Sequence, residues 1–382
     1  MPSARSIVCL LAAAWISPAF ARPVPTDAPQ ERAALELSAA YTLDLSVVRG
    51  SADDGFDRLD NLDLLATARL GSLGWRGATV RAHLLGNSGT RPNDRAVTLE
   101  GINNIEVPKR GLRLFEAWLE QEFGGGSVRA GLYDLNSEFY ATEASGLLIA
   151  PPFGIGSELA ATGSAGPAIF PSSALGIRGA VALGRHGIVR AALLNARAGT
   201  LGDTGGVDRS FDEGLLTIVE AGREGEGGKL MLGAWRYTKA VLAIDPADPR
   251  PRHAQGLYLL AEAPLGTSWS GFLRAGLSDG RTGPFRAGWQ LGAQRSPALA
   301  VRPDSSVAVG FHAARVSSAE RRRLRAMAVP PARTESGIEL TYADRLFGPL
   351  TLQPDLQVIF NPGGLADADP ALIFTLRTIV DF

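Results

Sequence analysis

The chain has 382 residues, 45% hydrophobic, 20% charged and 7% aromatic, and its 38 Lys and Arg against 39 Asp and Glu leave a formal net charge of −1. An ordinary apolar fraction argues against a disordered chain, and the missing basic excess argues against a nucleic-acid partner. The length allows two domains or one large barrel.

The first 21 residues read as a removable secretory signal. Arg5 precedes an apolar run from Ile7 to Ile16, then Ser17-Pro18 and the small-x-small sequence Ala19-Phe20-Ala21, with cleavage expected before Arg22. The run falls well short of the roughly 20 apolar residues of a spanning helix. Cys9, the one cysteine, lies inside this signal, so residues 22–382 form a single domain without disulfides, a thiol nucleophile or a thiolate metal site.

After the signal, Leu35, Leu37, Ala39, Tyr41, Leu43, Leu45 and Val47 alternate with Glu36, Ser38, Ala40, Thr42, Asp44 and Ser46, the period of a strand with one apolar face. That period predicts strands at 35–48, 58–71, 75–86, 112–123, 127–134, 174–183, 188–197, 213–222, 229–238, 253–263, 269–277, 285–293, 305–315, 335–344, 350–360 and 371–382, sixteen in all. Phe115, Ala117, Leu119 and Phe123 fall on the apolar face of the fourth, and Val307, Val309, Phe311 and Ala313 on that of the thirteenth.

Short and long connections alternate between these strands. Ser72-Leu73-Gly74, Gly124-Gly125-Gly126 and Gly184-Arg185-His186-Gly187 have hairpin-turn chemistry. Short turns at one end and long loops at the other describe an all-β fold, a 16-stranded antiparallel transmembrane β-barrel in a bacterial outer membrane. Strands near the 9 to about 11 residues needed to cross a bilayer fit this, and residues 22–382 hold no 18-residue apolar run for a helical span. A soluble sandwich or propeller has strands of about 5 to 6 residues. The final strand alternates and stops on Phe382, similar to the C-terminal targeting strand of outer-membrane proteins.

With the apolar set facing lipid, the alternate set faces the lumen. It comprises Glu36, Asp44, Asn61, Asp63, Arg69, Arg81, His83, Glu116, Glu120, Arg129, Tyr133, Arg274, Arg286, Gln290, Gln353, Asp355, Gln357 and Arg377. Each of these is read either as a solute contact or as one half of a wall ion pair. The connection at about 135–173 is long enough to fold into the lumen, and it carries Asn136, Glu138, Phe139, Tyr140, Glu143, Phe153, Glu158 and Phe170. Rings beside carboxylates suit sugars, whose C–H faces stack while their hydroxyls hydrogen-bond.

Enzyme readings have little support. His83, His186, His253 and His312 are scattered, with no His-x-x-x-His metal pair, and there is no Gly-x-x-x-x-Gly-Lys-Ser/Thr phosphate loop, so no metal or cofactor is expected. Glu116 and Glu120, four apart on a strand, lie about 13 Å from each other, too far for a glycosidase pair. Arg321, Arg322, Arg323 and Arg325 form a basic cluster in the seventh long loop, readable as contacts to lipopolysaccharide phosphates or as a solvated loop helix.

Three groups of motifs carry a family resemblance. Arg113-Leu114-Phe115-Glu116-Ala117-Trp118-Leu119-Glu120-Gln121 is followed by Ala130-Gly131-Leu132-Tyr133-Asp134-Leu135-Asn136-Ser137-Glu138-Phe139-Tyr140. Phe153 to Leu159 and Gly166 to Pro171 make the second group, and Leu352 to Gln357 with Asn361-Pro362-Gly363-Gly364 the third. Together they resemble the carbohydrate-selective porin family of OprB type, from about Asn61 to Phe382. The resemblance implies an outer-membrane porin for passive diffusion of monosaccharides such as glucose, with a general or non-sugar small-solute porin as the alternative. It also implies a pore narrowed by inward loops, with Glu116, Arg129, Tyr133, Asp134, Glu138 and Tyr140 in or beside the constriction. Arg81, Glu120 and Glu158 join them as candidate lining residues. The implied partners are small sugars and outer-membrane lipid with lipopolysaccharide. Self-association into a homo-oligomer is left open.

Overall fold

The computed structural model describes residues 34–382 apart from 51, 246 and 249; the expected signal at 1–21 lies outside the described residues. Sixteen antiparallel strands close into one barrel. They are β1 (Leu35–Arg49), β2 (Gly55–Arg69), β3 (Ala78–Gly89), β4 (Gly111–Phe123), β5 (Gly126–Tyr133), β6 (Ala174–Leu183), β7 (Gly187–Asn195), β8 (Leu215–Gly225) and β9 (Gly228–Tyr237). The circuit continues through β12 (Gln255–Pro264), β13 (Trp269–Ser278), β14 (Phe285–Arg295), β15 (Ser305–Val316), β16 (Thr334–Phe347), β17 (Leu350–Phe360) and β18 (Ala371–Asp381). The intervening β10 (Val241–Leu242) and β11 (Pro251–Arg252) pair with each other in the loop after β9, outside the barrel wall.

Each strand pairs with its sequence neighbours, and β18 returns to β1, where Asp44 faces Arg377 and Leu43 faces Thr378. Closure leaves no edge with unpaired backbone groups, the condition for strands to cross lipid. The outer surface is apolar: Leu232 is 65% exposed, Leu257 63% and Leu340 51%. In water so many exposed large side chains would favour association; in a bilayer they face hydrocarbon.

Connections at one end are short, among them 124–125, 184–186, 226–227 and 348–349. At the other end lie 90–110, 134–173, 196–214, 238–254 and 317–333, holding α1 (Asn93–Ala96), α2 (Ser157–Ala160) and α3 (Ser318–Ala326).

Two expectations about side-chain direction change. On β4, Glu116 pairs with His83 but Leu114 with Leu84, so Phe115 is an extra residue in a bulge. The bulge turns Phe115 inward, where its ring meets His83 edge-on at 5.3 Å, so it is absent from the lipid face. Arg286 lies at the irregular pairing between Phe285 and Ala287 on β14 and is exposed.

Candidate pore constriction

The barrel interior is occupied by segment 134–173, which has no strand partner and takes its hydrogen bonds from the wall instead. Glu220 on β8 accepts the Tyr140 amide at 3.0 Å, and Glu262 on β12 accepts the amides of Glu143 and Ala144 at 2.7 and 3.1 Å. Arg274 on β13 donates to the carbonyls of Tyr140, Gly154 and Pro152 at 3.0, 2.8 and 3.1 Å. Glu339 on β16 accepts the amides of Ile149 and Ala150 at 2.5 and 2.9 Å, and Gln353 on β17 donates to the Leu147 carbonyl at 2.7 Å. The segment is thus stitched to half the circumference of the wall.

Inward-facing glycines make the slots into which it fits. A Cβ on Gly276 would overlap the Glu158 carboxylate, one on Gly288 would lie 2.7 Å from Glu158 Oε2, and one on Gly310 2.5 Å from the Phe153 ring. Gly233 makes the same room for Tyr258, on which Tyr140 stacks at 3.9 Å. Phe153 packs with Leu147, Leu148, Phe272 and Ala308.

A second segment, 90–110, also enters the lumen, which the sequence reading did not anticipate. Asn103 donates to Asp44 at 2.7 Å, Arg377 to the Asn104 side chain at 2.8 Å, and Gln357 to the Ile102 carbonyl at 3.0 Å. Glu335 accepts the amides of Leu99 and Glu100 at 2.9 Å. The two segments meet where the Asn104 amide donates to the Ile149 carbonyl at 3.0 Å and the Ser157 hydroxyl donates to Glu100. His312 Nδ1 lies 2.9 Å from the same Glu100 carboxylate. An irregular loop leaves no period in the sequence, and its partners Asp44, Glu335, Gln357 and Arg377 lie far away along the chain.

The nine expected lining residues fall into three neighbourhoods. Glu120, Arg129, Tyr133 and Glu138 join Arg178 in a lattice. Arg129 meets Glu120 at 2.6 Å, Arg178 meets Glu120 at 2.9 Å and Glu138 at 2.8 Å, and the Tyr133 hydroxyl donates to Glu138 at 2.5 Å. The Arg129 guanidinium lies 3.9 Å from the Trp118 ring centroid. Despite its burial, Glu138 is held below the usual carboxylate range by Arg129 and Arg178. Tyr140 and Glu158 make a separate buried pair at 2.9 Å, and burial pushes the Glu158 carboxyl up to about 7.

Arg81, Glu116 and Asp134 stand elsewhere. Glu116 lies 3.8 Å from Arg81 and accepts the Asp134 amide at 3.3 Å. Burial and the adjacent Glu116 charge push the Asp134 carboxyl up to about 8. His83 joins Glu116 to Asp63, with Nε2 2.8 Å from the Asp63 carboxylate. The Arg81 and Asp63 side chains keep 19% and 17% of their surface, whereas Arg178 and Glu138 keep 1% and 2%. Asn104, Asn136 and Ser137 on the two inward segments are likewise not buried.

A closed barrel of sixteen strands, with two long segments tied across its lumen, agrees with what comparison finds. The model of the carbohydrate-selective porin, OprB family, matches residues 53–382. The chain belongs to that family. The OprB-family assignment describes a channel integral to the outer membrane, with sugars as its solutes. The high-pH structure of Pseudomonas putida OprB superposes with a TM-score of 0.81 at 21% identity, covering 91% of this chain and 94% of that one. The outer-membrane channel DcaP of Acinetobacter baumannii gives 0.57 at 12% identity, over 91% and 97%. A mutant porin of Rh. blastica gives 0.52 at 12%, over 91% and 100%. Likeness at these identities concerns the fold. No curated protein matches the sequence.

The long-loop end of this OprB-family barrel holds a cavity of about 760 Å³ between the β2 and β3 ends and residues 105–110. Asp53, Asp57, Asp94, Arg91, Arg95, Lys109 and Arg110 line it, both charge signs together. It forms a polar vestibule beside segment 90–110.

Proposed function

We propose that the chain lets monosaccharides such as glucose diffuse passively to the periplasm, past a constriction shaped by segments 90–110 and 134–173. The observation that carries this is the contrast between the buried wall charges, which hold loop backbone, and the polar groups that retain surface. Arg81 and Asp134, with Asp63, Asn104 and Asn136, offer a solute weak contacts of both charge signs and amides, while Glu116, its side chain only 6% exposed, pairs with Arg81. Glu120 borders this set, with 13% of its side chain exposed. Transport of this kind needs binding that favours arrival yet permits departure, and weak hydroxyl contacts meet both needs.

A general small-solute pore is the second reading, and one observation favours it. The rings expected to stack on sugars, Tyr133 and Tyr140, are 1% and 0% exposed, and Trp118 lies beneath Arg129. Sugar preference then rests on hydrogen bonding to Arg81, Asp63 and the amides. Single-channel current through the refolded protein tests this: glucose added to the bath should interrupt the current in a saturable way, and Arg81→Ala should weaken that effect. Interruption that grows only in proportion to solute, with no saturation, would favour the general pore.

A further inference from the structure

The basic cluster after β15 divides once its partners are known. Ser317 caps the start of α3, its hydroxyl accepting the Glu320 amide at 3.0 Å. Arg322 is held by Asp245, with its Nε 2.8 Å from the carboxylate, and Arg323 by Glu320 at 2.7 Å. Arg315, Arg321, Arg325 and Arg333 have no carboxylate within ion-pair distance among the described residues. Arg321 and Arg325, four apart, lie on one side of α3, and the Arg321 Nε is buried without a partner. Arg315 pairs with Thr334, the residue after Arg333, and α3 follows β15 with only Ser317 between them, so both pairs of guanidiniums stand at the same end of the β15–β16 hairpin. Burial and the charges of Arg325, Arg333, Arg315 and Arg322 lower the Arg321 pKa.

The position of this group relative to the bilayer follows from β15. His312, Ala314 and Val316 point inward and are buried, so Arg315 points outward, on the same side as exposed Val309. Val309 pairs with Leu340 and Arg315 with Thr334; Leu340 and Ile338 are exposed as well. Six residues of strand at about 3.3 Å rise, tilted about 45°, put Arg315 roughly 14 Å further along the membrane normal than Val309. In an apolar band about 25 Å tall that displacement exceeds half the height, so Arg315 stands toward the long-loop end of the strand, beyond the exposed Val309, Ile338 and Leu340.

We propose that Arg315, Arg321, Arg325 and Arg333 form a binding site for the phosphate groups of a phosphorylated glycolipid in the outer leaflet. Four unpaired guanidiniums at the border of an apolar belt match such a lipid in both parts: acyl chains lie on Val309, Ile338 and Leu340, and phosphate oxygens take the Arg forks. Arg315, the one member on a barrel strand, faces away from the lumen, and the proposal does not depend on which solute the pore passes.

Native mass spectrometry of the full folded chain, mixed with diphosphorylated lipid A, tests the site. The wild type should retain lipid A, and R315Q/R325Q should bind it about tenfold more weakly. Arg322→Gln, which leaves the four unpaired residues in place, should retain it as the wild type does. Heat-modifiable migration on detergent gels confirms that each variant is folded, and R315Q alone serves if the double variant is not. Equal retention by the wild type and a folded variant overturns the proposal, as does equal retention of lipid A stripped of its phosphates. Binding of inorganic phosphate with no lipid A retained also overturns it, since that describes a free-anion site.

Discussion

Arg377 on β18 grips Asp44 on β1 through two hydrogen bonds of 2.8 Å, across the seam where the last strand meets the first. The same guanidinium holds Asn104, and the same carboxylate holds Asn103, so barrel closure and the placing of segment 90–110 share one ion pair.

Removing one partner leaves an uncompensated buried charge. Asp44→Asn should destabilise the barrel by about 3–5 kcal/mol. The denaturant midpoint of heat-modifiable gel migration reads this loss, and D44N/R377M should recover part of it because neither charge is then stranded.

Arg274 is wholly buried and serves three loop carbonyls. Hydrogen bonds to charged groups are worth about 1.5–3 kcal/mol each, so Arg274→Met should free segment 134–173 at a cost of about 3 kcal/mol or more. Single-channel conductance should rise and larger oligosaccharides should pass; unchanged conductance in folded variant would mean the segment does not narrow the path.

The inward glycines supply a test of fit. Gly276→Ala places a methyl group against the Glu158 carboxylate and should cost about 1–3 kcal/mol by overpacking. Gly179→Ala on β6 meets no neighbouring atom within 4 Å and should stay near wild type. Denaturant midpoints of the pair, compared side by side, decide whether the slots matter.

Glu158 gives a pH dependence whose sign is fixed. Its carboxyl is raised from 4.5 to about 7 in the folded state, so the fold favours the protonated form. The stability it contributes is full below about pH 4.5 and is lost as pH rises through about 7, roughly 3 kcal/mol in all. Glu158→Gln should flatten this fall. Limited proteolysis of segment 134–173 at pH 5 and pH 8 reads it: the wild type should be cut faster at pH 8, and the variant should show a smaller difference, the remainder coming from groups such as Asp134.

Strand number, barrel closure and the positions of the turns were legible in the sequence because lipid demands an apolar outer face, and the pleat turns that demand into a period of two. Phe115 broke the pattern because a bulge adds one residue, and nothing in the alternation marks it. The division between wall charges that hold loops and those that meet water was not legible either. Glu339 and Arg81 both lie on inward positions, and only the path of a loop decides which one is covered. Segment 90–110 enters the lumen on contacts to residues such as Glu335 and Gln357, far away in sequence. The inward glycines at 233, 276, 288 and 310 held that information in a form readable only once their partners were placed.

Liposome swelling with the refolded chain, comparing glucose with an amino acid of matched size, bears most directly on the constriction formed by the two inward segments. The expected result is faster swelling with glucose, with the advantage reduced in Arg81→Ala. Equal rates for both solutes, in protein shown to be folded and inserted, would contradict a pore that selects sugars.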